Sequence, residues 1–131
     1  MAASRASLER VLTPDSYRHL DSLNARILTG CEAVIERHQL PGYAVGIGSK
    51  GCVTFSPAPI VDYESFKASQ DVAVTDLAWL WNMNRGIYMT PGREEEWTLS
   101  VAHDEAAVDA YVAAFRELAT ELRDPQGGTP R

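Results

Sequence analysis

From Leu20 to Val34 apolar side chains return at steps of three and four, through Leu23, Ile27 and Cys31. That spacing draws one apolar stripe down a helix, and such a helix must bury the stripe against another layer. Its start is legible in Thr13-Pro14-Asp15. Thr13 can cap, Pro14 suits the first helical position, and Asp15 faces the positive end of the helix dipole. The helix runs for about six turns and ends at His38-Gln39-Leu40-Pro41-Gly42, because proline and glycine do not continue a regular helix. A second stripe, Val108, Tyr111, Val112, Phe115, Leu118 and Leu122, follows a candidate cap at Asp104.

Between these helices the period changes to two. Tyr43, Val45 and Ile47 alternate with small residues, and Val53 and Phe55 alternate on the return, which predicts a β-hairpin with a short loop. Gly51 is expected to supply a positive φ there. Gly46 and Gly48 leave one strand face bare, as where another backbone or a ligand comes close. A connector, Ser56-Pro57-Ala58-Pro59, leads to a helical region after Asp62 that carries Tyr63, Phe66, Val74, Leu77, Leu80 and Trp81. Gly86 is its expected left-handed cap. Ile87-Tyr88-Met89 predicts a short strand, Thr90 to Arg93 a turn, and the alternation from Glu96 to Val101 another strand. The fold class is α+β: a small, mostly antiparallel sheet, made of a hairpin and two further strands, with helices packed on one face. Residues 1–12 and 124–131 are polar or aperiodic and are expected to be disordered, leaving 13–123 as one domain.

Composition narrows the partners. The chain has 131 residues and a net charge of −6, which argues against nucleic acid and against an anionic membrane surface. No apolar run approaches the ~20 residues of a membrane span, and Met1 to Arg10 lacks a signal-peptide core, so a cytoplasmic location is expected. Cys31 and Cys52 fall in a helical and a strand pattern and suit small buried hydrophobes. His19, His38 and His103 have no metal-ligand spacing, so no metal is expected. Gly46-Ile-Gly48-Ser49-Lys50-Gly51 is neither a Walker loop nor a dinucleotide fingerprint, since a strand follows it. In Arg93-Glu94-Glu95-Glu96 three carboxylates repel one another, and one of them is a candidate to point into a site. No Gly-x-Ser-x-Gly elbow is present.

An ordered series of segments then carries a resemblance. Gly46-Ile-Gly48-Ser49, Pro59-Ile-Val-Asp62-Tyr63, Arg85-Gly-Ile-Tyr-Met-Thr-Pro91, Glu95 and Ser100-Val-Ala-His103 together resemble the C-terminal small domain of class III aminotransferases, of the glutamate-1-semialdehyde aminomutase type. Gly92 and Glu94 depart from that family's usual serine and aromatic residue. The resemblance implies a fold type I pyridoxal 5'-phosphate enzyme, normally a homodimer, that performs transamination or intramolecular amino exchange. It implies that Glu95 lies near the substrate. It places the Schiff-base lysine and the cofactor site in a large domain to which neither Lys50 nor Lys67 corresponds, so the chain alone is expected to be inactive. The alternative is a non-enzymatic module that binds aminotransferase subunits.

Overall fold

The computed structural model describes residues 1–69, 71–90 and 95–123, with Glu95 described by its backbone alone. The elements run α1 (Ala2–Ala6), a π-helical turn (Ser7–Val11), α2 (Pro14–His38), β1 (Tyr43–Ile47), β2 (Lys50–Thr54), α3 (Tyr63–Ser69), α4 (Val72–Met83), β3 (Glu95–Thr98) and α5 (Glu105–Arg123). The strands form one antiparallel sheet in the order β1-β2-β3. This is the expected small α+β unit.

α2 begins as its sequence requires. The Thr13 side chain accepts the Ser16 N–H, and Pro14 opens the helix. Its end comes earlier than Pro41. Gln39 takes the left-handed conformation (φ 52°), and Leu40 N–H returns to the Ile35 carbonyl, so the last carbonyls are satisfied before the proline is reached. Leu20, Leu23, Ile27, Cys31, Val34 and Ile35 are buried. α5 buries the predicted stripe Val108, Tyr111, Val112, Phe115 and Leu118.

These two helices run side by side in the same direction. His19 donates from Nε2 to the His103 carbonyl, Arg26 pairs with Asp109 and Glu105, and a Cβ on Gly30 would lie 2.8 Å from Val112 Cγ2, so matched positions rise together. α2 also covers one face of the hairpin, where Ala44 and Val53 are buried.

The Arg26 guanidinium grips Asp109 with two hydrogen bonds, of 2.7 and 2.8 Å. That bond, more than the charge itself, holds the Asp109 carboxyl below its ordinary value of 3.8. A carboxyl depressed in the folded state adds stability above its unfolded pKa and loses it as pH falls through the folded value. The stability difference between the wild type and Asp109→Asn should therefore be constant near neutrality and shrink below pH 3.8. Urea titrations of both proteins across pH 2–6 test this, and a gap that persists in acid would contradict it.

The structure corrects several expectations. The hairpin turn is Gly48-Ser49, and the positive φ (58°) belongs to Gly48, not Gly51. A positive φ at the first loop position suits the right-handed twist of the strands. The helical region after Asp62 is two helices. Asp71 is extended, and its carboxylate accepts the Ala73 and Val74 N–H groups, which starts α4 anew. α4 buries Thr75, Ala78 and Asn82 and leaves Leu77 and Leu80 exposed. Its orientation follows Trp81, whose Nε1 donates to the Ala114 carbonyl while Arg85 stacks on its ring.

Ile87 to Met89 joins no strand. Gly86 (φ 74°) closes α4, Ile87 N–H returns to the Asn82 carbonyl, and Trp79 Nε1 donates to the Met89 carbonyl. With these groups bonded to α4, among the described residues only three strands pair. The expected disordered start is helical from Ala2 to Val11, although nothing in it is buried. Alanine, leucine, arginine and glutamate favour that conformation without packing. The turn at Pro91–Arg93 and the tail 124–131 lie outside the described residues.

Candidate functional site

Glu95 opens β3, where its backbone pairs with Val53. The next residue, Glu96, lies opposite Cys52, and its carboxylate accepts from Lys50 Nζ at 3.3 Å. Trp97 then faces Gly51 across the ladder and is buried (5 % exposed). Its ring sits where a Gly51 side chain would be: a Cβ there would lie 2.3 Å from Trp97 Cζ2. Trp97 Nε1 donates to Asn24 Oδ1 at 2.8 Å, Asn24 Nδ2 donates to the Lys50 carbonyl, and the Trp97 and Tyr111 ring centroids are 5.6 Å apart. The strand that begins at Glu95 is thus anchored to α2, β2 and α5 within two residues of that carboxylate.

A cleft of about 400 Å³ opens beside this anchor. Tyr88, Met89 and Thr90 form one wall, Glu96 to Leu99 the other, and His103 and Tyr111 line its α5 side. His103 is committed to the fold: its Nδ1 accepts the Ser100 N–H at 2.9 Å, and its own N–H returns to the Ser100 carbonyl. The Ser100–His103 segment is therefore a turn clamp that leads into α5, where Asp104 caps through the Ala107 N–H. Tyr88, at the mouth of the cleft, is 81 % exposed.

A second cavity, of about 260 Å³, lies against the outer sheet face. Tyr43, Val45, Cys52 and Thr54 form its floor, and Phe66 and Ser69 of α3 its far side. Tyr43 Oη accepts the Ile60 N–H and so ties the connector over the floor. Cys31 is fully buried and Cys52 partly so.

The residues do not fit a pyridoxal-phosphate site on their own. The chain has two lysines. Lys50 Nζ is exposed and paired with Glu96, and Lys67 Nζ lies over the Tyr63 ring. Neither lines the cleft that Glu96 and His103 share, and a Schiff base needs a lysine amine directed into the site. Among the described residues no cluster of histidine, cysteine and carboxylate groups could hold a metal ion, and no helix is long and apolar enough to cross a membrane.

No family profile matches the chain. Individual proteins do. Glutamate-1-semialdehyde 2,1-aminomutase of Thermus thermophilus is 33% identical over 118 residues, which is 89% of this chain and 27% of that protein. A second aminomutase, from Geobacillus kaustophilus, is 30% identical over 114 residues, or 26% of its length. The crystal structure of the Pseudomonas aeruginosa PAO1 glutamate-1-semialdehyde aminomutase superposes with a TM-score of 0.86 at 26% identity, over 92% of this chain and 26% of that one. This chain is similar to one part of glutamate-1-semialdehyde 2,1-aminomutase. It spans about a quarter of the aminomutases it matches. The same part of an omega-transaminase from Sphaerobacter thermophilus superposes with a TM-score of 0.76 at 28% identity. The shared unit thus belongs to aminomutases and transaminases alike.

The sequence had placed Glu95 just before the last strand, whereas the structure makes it the first residue of that strand. It did not single out Asn24, Gly51 as a seat for Trp97, or the cleft. The only sign of Asn24 was a polar residue set between Leu23 and Ile27 on the buried side of a helix.

Proposed function

We propose that this chain is the small-domain portion, residues 13–123, of a class III pyridoxal-phosphate aminotransferase of the glutamate-1-semialdehyde aminomutase type. The observation that carries the reading is a near-complete superposition on one quarter of such enzymes in a chain whose two lysines both stand outside its cleft. The assembled enzyme would perform transamination or intramolecular amino exchange on a small amino acid or aldehyde. A large domain would hold the cofactor; a similar aminomutase has been crystallised with pyridoxamine phosphate. We place that enzyme in the cytoplasm and read it as a homodimer.

In this reading Glu95 orients the substrate, and the Asn24–Trp97–Tyr111 anchor keeps its strand end in place. The chain by itself should show neither the yellow cofactor band nor turnover. Joined with the remaining three-quarters of the enzyme, it should show both. In that assembly Glu95→Gln should lower kcat/KM about tenfold or more, the size expected for weakening one hydrogen bond to a charged group. Unchanged kinetics in this variant would remove Glu95 from the site. Turnover by the isolated chain would overturn the reading itself.

A second reading is a non-enzymatic module that binds aminotransferase subunits. Its support is that all three tryptophans donate their Nε1–H within the chain's own fold, so the unit is internally braced. Catalytic complementation by the missing portion separates the two readings.

A further inference from the structure

The sheet ends on β1, a five-residue strand of Tyr43, Ala44, Val45, Gly46 and Ile47. Sheet edges are ordinarily protected by a charge, a proline, a bulge or a covering segment, because their free amides pair with any strand that arrives. β1 has no charged residue and no proline. The opposite edge strand carries Glu95 and Glu96.

The register fixes which groups are free. Ile47 pairs with Lys50 across the two-residue loop, and Val45 and Tyr43 follow opposite Cys52 and Thr54. In an antiparallel ladder the bonding positions alternate, so Tyr43, Val45 and Ile47 bond to β2 and the N–H and C=O groups of Ala44 and Gly46 point away from it. Among the described residues, no backbone hydrogen bond outside the hairpin ladder engages Ala44 or Gly46. Beside this edge Val45 is 49 % exposed and Ile47 86 % exposed, both on the outer face.

We propose that β1 is a self-association edge, and that its occupant is β1 of a second copy of this chain, antiparallel about a two-fold axis at Val45. The strand is self-complementary. With Val45 on the axis, Ala44 of one copy lies opposite Gly46 of the other, and these are the two residues whose amides are free. Each such pair exchanges two hydrogen bonds. Val45 meets its own copy at the closely spaced position, and Tyr43 lies opposite Ile47, an aromatic against a β-branched side chain. The outer faces join into one apolar stripe across a six-stranded sheet. Because the contact is isologous, it closes at two copies. It involves neither the cleft nor Glu95, so it stands apart from the proposed catalytic role.

Sedimentation equilibrium of the full chain from about 1 μM to 1 mM, a range that spans weak to moderate association, tests the proposal. The wild type should rise towards twice its 14.4 kDa mass. Val45→Lys sets two like charges on the axis and should hold the chain at monomer mass with an unchanged circular dichroism spectrum. Val101→Lys, an exposed apolar position away from the sheet, should dimerise as the wild type does. Hydrogen exchange of the wild type adds a readout that does not depend on a variant folding: the Ala44 and Gly46 amides should gain protection as concentration rises. A wild type that stays monomeric, a dimer indifferent to Val45→Lys, or Ala44 and Gly46 amides that exchange equally fast at both ends of the range would each overturn it.

Discussion

Trp97→Ala is expected to lower stability by about 4 kcal/mol, within the range for removing a large buried aromatic side chain. The side chain is almost wholly enclosed. It packs on the bare Gly51 backbone and beside the Tyr111 ring, and it satisfies Asn24 at 2.8 Å. Truncation would therefore leave both a cavity and a buried amide oxygen without its donor. Folded domains hold only about 5–15 kcal/mol in reserve, so the loss should appear as a fall of roughly 15 °C in Tm. Trp97→Phe fills most of the space but lacks the N–H, and should fall between the two. Thermal and urea denaturation of the three proteins measures this order. A loss under about 1.5 kcal/mol would mean that the tryptophan is not the anchor described.

Gly51→Val is the second large effect, at about 3 kcal/mol, from overpacking. A Cβ at this position would lie 2.3 Å from Trp97 Cζ2 and 2.8 Å from the Val45 carbonyl oxygen. The first atom belongs to a buried ring packed beside Tyr111, and the second to the backbone of the neighbouring strand. Neither can retreat without opening the sheet. Because the ring causes part of the clash, the two substitutions should be non-additive. Gly51→Val in a Trp97→Ala background should cost clearly less than it does alone. Additive losses in that double-mutant cycle would show that the backbone contact, rather than the indole, excludes a side chain from position 51.

These two residues also mark how far the sequence is readable. Trp97 is legible as a strand residue, since Glu96 to Val101 alternates, but nothing local says that its ring lies on Gly51. That pairing depends on β2 and β3 meeting in one register, a contact across 46 positions. Gly51 looked like a turn glycine because it sits beside Ser49 and Lys50. The turn was tightened instead at Gly48, and this moved Gly51 into the strand. The α4 face went the same way. Leucines at positions 77 and 80 helped to mark the helical region, but the hydrogen bond from Trp81 to α5 and the tight fit of Ala78 turn the helix so that both leucines face outwards.

For the site, the sequence began the last strand one residue after Glu95, whereas β3 begins at Glu95 itself, and its order of segments pointed to the aminotransferase resemblance that the aminomutase structure bears out. The resemblance also implied that neither Lys50 nor Lys67 corresponds to the Schiff-base lysine.

The sequence by itself determined the two long helices, their caps at Thr13 and Asp104, the hairpin and the last strand. Each of those is set by periodicity and by hydrogen bonds within a few residues. Only the tertiary structure decided that Asn24 holds Trp97, that Ser100 and His103 form a clamp beside the cleft, and that β1 is left as an open edge. Those features depend on which distant segments meet, and the free energy of such meetings comes from burial and pairing that no local pattern records.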